Sequence, residues 1–159
     1  MGGIRERVWI SVIGGASPPK WAVEAAYEVG RLIARRGAVL VCGGLGGVME
    51  SACRGAKSAG GITVGILPTA SRAAANPFVD IAIPTGLGVA RNLLVVRSGD
   101  AVIAVDGAWG TLSEIALAKN IGKTVIGLGS FQLEGIIPAQ TPEEAVSLAF
   151  EHIQKAGGI

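Results

Sequence analysis

The chain is short of the side chains that carry most enzyme chemistry. It has one histidine and two cysteines in 159 residues, and aromatics make up only 4%. Two thiols are no disulfide framework for a chain this long, and Cys42 and Cys53 lack the spacing of a zinc motif. They read as small core hydrophobes in a reducing cytoplasm. His152 falls near the end of a helical stretch, where the helix dipole favours a cation, and reads as a surface residue rather than a base or ligand. No metal site follows from this set. Charge is scarce as well. Asp, Glu, Lys and Arg together make 16%, the net charge is +2, and Arg35-Arg36 is the largest basic cluster. That excludes a nucleic-acid stripe. No apolar run has the length of a membrane span. A signal-peptide cut after Ala16 would remove the first core strand, so the cytoplasm is the expected location.

What remains is aliphatic. Half of the residues are hydrophobic and they are mostly Val, Ile, Leu and Ala, the mix of a parallel sheet covered on both faces. The 25 glycines have no collagen period and gather at the ends of apolar runs. Strands are expected at 8–13, 38–42, 62–67, 78–83, 101–105 and 123–128, with a short seventh at 135–137. Helices are expected at 21–36, 48–59, 86–98, 111–121 and from Thr141 to about Lys155. Thr141-Pro142-Glu143-Glu144 is a strong helix start, with Thr at the N-cap and Pro at the first position. The 86–98 helix is apolar nearly all round and is expected to be well buried. Strand and helix alternate throughout. The expectation is one α/β domain over 1–159, a three-layer α/β/α Rossmann-like fold with a mostly parallel six- or seven-stranded sheet.

Such sheets bind ligands beyond the carboxyl ends of their strands. Three glycine-rich turns must lie there: Gly14-Gly15-Ala16, Gly43 to Gly47, and Asp106 to Gly110. The last follows the buried strand Ala101–Val105 and opens a helix at Thr111. Amides and the dipole of a helix start make a place for phosphate. Glu114, one turn in, has two readings. Thr111-Leu-Ser-Glu114 is itself a capping box, in which the glutamate serves the helix's own amide; alternatively Glu114 faces the ligand. The Gly43–Gly47 loop is no Walker loop, since no Lys-Ser/Thr pair follows it. It also lacks the third glycine of the dinucleotide fingerprint. Its bland reading is steric, a sharp turn from strand to helix. Arg91 and Asn92 sit among apolar residues, and a buried guanidinium needs a partner. Arg91 can bridge a structural carboxylate, snorkel outward, or serve a site. Arg72, in the small polar loop 68–77, can reach an anion but reads as solvated, and Asp100 reads as a strand-edge or helix-capping residue rather than a catalyst.

These residues resemble a known family. The run GGLGGVMESACRGAKSAGGITVGILP (Gly43 to Pro68) resembles the first signature of the Lonely Guy cytokinin-activating phosphoribohydrolases, long mislabelled lysine decarboxylases. The run RNLLVVRSGDAVIAVDGAWGTLSE (Arg91 to Glu114) resembles the second, an arginine, an aspartate opening a strand, and a Pro-Gly-Gly-x-Gly-Thr-x-x-Glu loop. Arg91, Asp100, Gly107, Gly110, Thr111 and Glu114 fall in register. The Arg-Asn and Thr-Leu-Ser-Glu wording is similar to a sister group that includes molybdenum-cofactor carrier proteins. Asp106 stands where the family has proline, and Ala108 where it has a second glycine.

The resemblance implies a phosphate-bearing ligand, either a nucleotide or the molybdenum-cofactor pterin, and no nucleic-acid or membrane partner. The candidate contacts are Gly14, Gly15, Ala16, Gly43, Gly44, Gly46, Gly47, Asp106, Gly107, Ala108, Trp109, Gly110 and Thr111. Trp109 would stack on the ligand or cover the site. As an alternative it implies hydrolysis of the N-glycosidic bond of a nucleoside 5′-monophosphate. Glu114 would then stabilise an oxocarbenium-like transition state, Arg91 would position substrate or Glu114, and no cofactor would be required. The family also implies a homodimer or homotetramer.

Overall fold

The computed structural model describes residues 2–157. Seven strands form one sheet: β1 Trp9–Gly14, β2 Val39–Cys42, β3 Ile62–Leu67, β4 Ile81–Pro84, β5 Ala101–Val105, β6 Val125–Leu128 and β7 Ile136–Ala139. Their order is β4-β3-β2-β1-β5-β6-β7, and every neighbouring pair is parallel. Five helices cover it: α1 Lys20–Arg35, α2 Val48–Ser58, α3 Asn92–Ser98, α4 Trp109–Asn120 and α5 Pro142–Lys155. The architecture is the expected α/β Rossmann-like fold, with the seventh strand present.

Strand residues alternate between two aliphatic layers, as a sheet buried on both faces requires. Ile10, Val12, Leu40, Cys42, Ile103 and Val105 pack under α1, α2 and α5. Ile13, Val39, Val41, Val102 and Ala104 pack under α3 and α4. Helices α1 and α2 lie backbone to backbone at two glycines. A Cβ on Gly30 would fall on the Ala52 carbonyl, and one on Gly55 on the Tyr27 carbonyl.

Local chemistry explains most boundaries. Thr141 caps α5, its Oγ1 accepting the Glu144 N–H at 3.1 Å, while Glu144 Oε1 accepts the Gln140 N–H at 3.1 Å. Asp100 does sit at a strand edge, where Oδ2 accepts the Trp9 N–H at 2.9 Å. The fourth strand starts three residues later than expected, at Ile81. Asn76 Oδ1 takes the Phe78 N–H, and Thr63 takes the Asp80 N–H through both its carbonyl and Oγ1, so 76–80 is committed to a turn.

Two helices depart from expectation. The 86–98 stretch is a 3-10 turn at Gly88–Arg91 followed by α3, and it is not wholly buried: Leu87 is 54% and Val89 85% exposed. Positive φ at Gly86 and Gly88 turns those residues outward before the helix begins. Helix α4 begins at Trp109, two residues before Thr111. Asp106 at φ +53 and Gly107 at φ +140 complete the turn in two residues, and the helix is free to start early.

Candidate functional site

The sheet order reverses between β1 and β5, and ligands in such folds bind beyond the strand ends at that switch point. A cavity of about 440 Å³ lies there. Gly14, Gly15 and Ala16 form one wall after β1. Ala108, Gly110, Thr111 and Glu114, from the start of α4, form another. Arg91 and Asn92 close it together with Leu45, Met49, Pro68, Gly88 and Val89. A larger hollow of about 560 Å³ lies beyond β6 and β7, but no ionisable side chain lines it. The chemistry concentrates in the smaller one.

The start of α4 is open. Ala108 is its N-cap and no side chain caps the helix. The amides of the first turn have no intrahelical acceptor, so they carry the positive end of the dipole toward the cavity wall formed by Ala108, Gly110 and Thr111. Because α4 starts at Trp109, Thr111 is its third residue and the Thr111–Glu114 capping box does not form. Glu114 instead faces Arg91, with Oε1 3.7 Å from Nη1; the Arg91 side chain is buried and that of Glu114 is 13% exposed.

Arg91 is bound from several sides. Its Nη2 donates to the Gly43 carbonyl at 3.3 Å, and Nη1 donates to Asn92 Oδ1. Its Nε is buried with no partner among the described residues. Of the readings open to Arg91, snorkelling is excluded, since the residue is 7% exposed. Burial lowers the Arg91 pKa from the usual arginine value, against the pull of Glu114. Burial raises Glu114 to about 7, and the Arg91 charge offsets only part of that. Glu114 is therefore divided between acid and carboxylate near neutral pH, the condition for moving a proton in either direction.

The second glycine loop does structural work. Val48, first in α2, gives its amide to the Gly15 carbonyl at 3.1 Å, so this helix start is already engaged. A Cβ on Gly43 would stand 2.6 Å from Arg91 Nη2 and 2.8 Å from Met49 Sδ. Gly44, at φ +78, lies against Leu67 and Gly65, and Gly47, at φ +69, against Gly15 and Ala16. These contacts match the steric reading of the loop. Gly43, Gly44, Gly46 and Gly47 do not line the cavity, nor do Asp106, Gly107 and Trp109. Asp106 borders a separate recess of about 210 Å³ with Gly107, Gly129, Ser130 and Phe131. Proline is held near φ of about −65°, so it could not adopt the Asp106 conformation; the replacement accompanies a different turn. Trp109 is 82% exposed and does not cover the cavity. Leu45, Met49, Pro68, Gly88 and Val89 were not predicted from sequence. Leu45 sits inside the second glycine loop and was passed over for its glycines; nothing in the local pattern marks the other four, which the topology alone brings to one place.

Comparison with known proteins agrees with this fold. A profile of the SLOG cluster4 family matches residues 7–156. The chain belongs to the SLOG cluster4 family. An uncharacterized protein of Archaeoglobus fulgidus is 49% identical over 139 residues, 87% of this chain and 91% of that one. The molybdenum cofactor binding protein of Rippkaea orientalis is 41% identical with a TM-score of 0.88, over 92% of this chain and 98% of that structure. The molybdenum cofactor carrier protein of Chlamydomonas reinhardtii is 32% identical with a TM-score of 0.83, over 93% and 99%. The Lonely Guy-like superfamily, implied by the two signature runs, and the carrier-protein branch, implied by the Arg-Asn and Thr-Leu-Ser-Glu wording, both hold for this SLOG cluster4 chain. Its similarity to carrier proteins supports a ligand-binding Rossmann-like protein. Among the described residues no helix is long and apolar enough to cross a membrane.

Proposed function

We propose that this SLOG cluster4 protein binds a phosphate-bearing pterin of the molybdenum-cofactor type in the cavity between β1 and α4. The uncapped start of α4 at the cavity wall carries this reading. Its free amides suit the ligand phosphate, with Gly110 and Thr111 nearest and Gly14, Gly15 and Ala16 opposite. Arg91, buried with an unpartnered Nε, supplies the positive charge beside it. Asn92, Met49 and Val89 line the remaining wall, a mixed polar and apolar surface for a heterocyclic ring. The similarity to molybdenum-cofactor proteins over nearly the whole chain supports the pterin over a free nucleotide. A cytoplasmic homodimer or homotetramer completes the proposal.

The Arg91–Glu114 pair favours a second reading, cleavage of a nucleoside 5′-monophosphate. A carboxyl near 7 can orient water as a base or stabilise positive charge growing at the ribose. One experiment separates the two. The wild type and Glu114→Ala are given molybdopterin in equilibrium dialysis, and a panel of nucleoside monophosphates in a chromatographic assay for free base. Saturable molybdopterin binding, competed by inorganic phosphate and retained by Glu114→Ala, with no base released, supports the carrier reading. Base release by the wild type alone supports the hydrolase. Neither binding nor release would overturn both.

A further inference from the structure

We infer that Cys42 and Cys53 form an oxidation site, a dithiol that hydrogen peroxide converts to a disulfide and that thereby resets the loop holding Arg91. The two sulfurs stand 3.5 Å apart, each thiol is free, and both residues are fully buried. A disulfide bond is about 2.0 Å long, so closure brings the sulfurs about 1.5 Å nearer. Cys42 is the last residue of β2 and Cys53 lies midway along α2, so the bond would tie the strand before the Gly43–Gly47 turn to the helix after it.

That turn has no slack. Gly44 N–H donates to Cys42 Sγ at 3.3 Å, and the Gly43 carbonyl accepts from Arg91. Gly43 is pressed against Arg91 and Met49, which both line the cavity. A displacement of Cys42 therefore passes through Gly43 to the cavity wall. The two thiols are also unequal. The contact with Cys53, the Gly44 N–H and the nearby Arg91 cation favour charge on Cys42 and hold its thiol below the usual value. Cys53, buried against the Cys42 sulfur, is held above it. The Gly44 N–H aimed at its sulfur at 3.3 Å favours the thiolate on Cys42, which makes Cys42 the attacking sulfur and Cys53 the resolving one.

The chemistry balances with one equivalent of peroxide. The Cys42 thiolate attacks a peroxide oxygen and the O–O bond breaks. The departing hydroxide takes a proton and leaves as water, and Cys42 carries a sulfenic acid. The Cys53 sulfur then attacks the Cys42 sulfur, the S–O bond breaks and a second water leaves. Two thiols are oxidised by two electrons, and one hydrogen peroxide is reduced to two waters. The oxidant must be small, because both sulfurs are sealed from solvent.

The link to ligand binding rests on the function proposed above, so the test reads the switch without ligand first. The full chain is treated with hydrogen peroxide, alkylated in denaturant and weighed. The expected result is a loss of about 2 Da and of both alkylation sites, reversed by reductant, with a Cys42–Cys53 peptide in the digest. Amide hydrogen exchange at 43–47, measured without ligand, should change on oxidation. Affinity for molybdopterin should fall about tenfold. In Cys53→Ser, and in Cys53→Ala should the serine variant unfold, unfolding the peroxide-treated protein in denaturant that contains dimedone should trap a sulfenic acid at Cys42, and the exchange response should vanish. Two alkylatable thiols remaining at a peroxide dose that already oxidises Met49 would overturn the inference. So would a disulfide that leaves exchange at 43–47 unchanged. If both ligand-free responses appear but no molybdopterin binds, this inference stands and the pterin reading falls.

Discussion

At the scale of single residues, Glu114 makes stability depend on pH. Its folded pKa of about 7 exceeds the ordinary carboxyl value of 4.5 because burial disfavours the charge. Below about 4.5 the carboxyl is protonated whether the chain is folded or not, and its burial adds no pH-linked penalty. Stability present there is lost as pH rises through 7, since the folded state must then hold a poorly solvated charge. The gap corresponds to about 3 kcal/mol. Glu114→Gln keeps the shape and removes the ionisation. Urea unfolding of both proteins at about pH 4 and about pH 9 should show the variant gaining by about 3 kcal/mol on the wild type between the two. A difference that does not move with pH would show that Glu114 is solvated. The sequence brought Arg91 and Glu114 into register but left a capping box open for the glutamate. The structure removes it, because the turn at Asp106 and Gly107 lets α4 start two residues early. A left-handed aspartate is not written in any hydrophobic period.

At the scale of elements, the strands and most helices were legible because burial on both faces leaves continuous aliphatic runs between glycines. What was not legible is the contact between α1 and α2. Gly30 and Gly55 look like breaks in helical patterns, and only the packed pair shows that each admits the other helix's backbone. Alanine is the better helix former by about 1 kcal/mol, so propensity alone predicts that Gly30→Ala stabilises. The packing predicts the reverse, a loss of about 1–3 kcal/mol as the helices are forced apart. Gly55→Ala should behave alike. One separation relieves both clashes, so the double variant should lose less than the sum of the singles. Thermal unfolding of the three variants checks this, and a raised Tm for Gly30→Ala would refute the packing argument. The same blindness hid the cavity wall. Met49 and Pro68 come from different βα units and meet at the switch point only through the strand order.

At the scale of the molecule, the misplaced expectation about 86–98 becomes informative. Its apolar residues were expected inside, yet Leu87 and Val89 project outward, and Trp109 does the same at the start of α4. Val89 is also part of the cavity wall, so this apolar set adjoins the proposed ligand site. Each large apolar side chain left in water forgoes about 1.5–3 kcal/mol. A second copy of the chain covering them would recover that and narrow the mouth of the cavity. Light scattering coupled to size exclusion should therefore give a dimer or tetramer for the wild type. Val89→Glu, which places a charge in that contact, should shift it toward monomer while leaving the helical circular dichroism unchanged. A monomeric wild type would refute the assembly and leave Val89, which lines the cavity, as a candidate for ligand contact. Molybdopterin affinity then decides between them: Val89→Glu would weaken binding in a monomer only by direct contact with the ring, whereas in an oligomer the loss would be restored at high protein concentration.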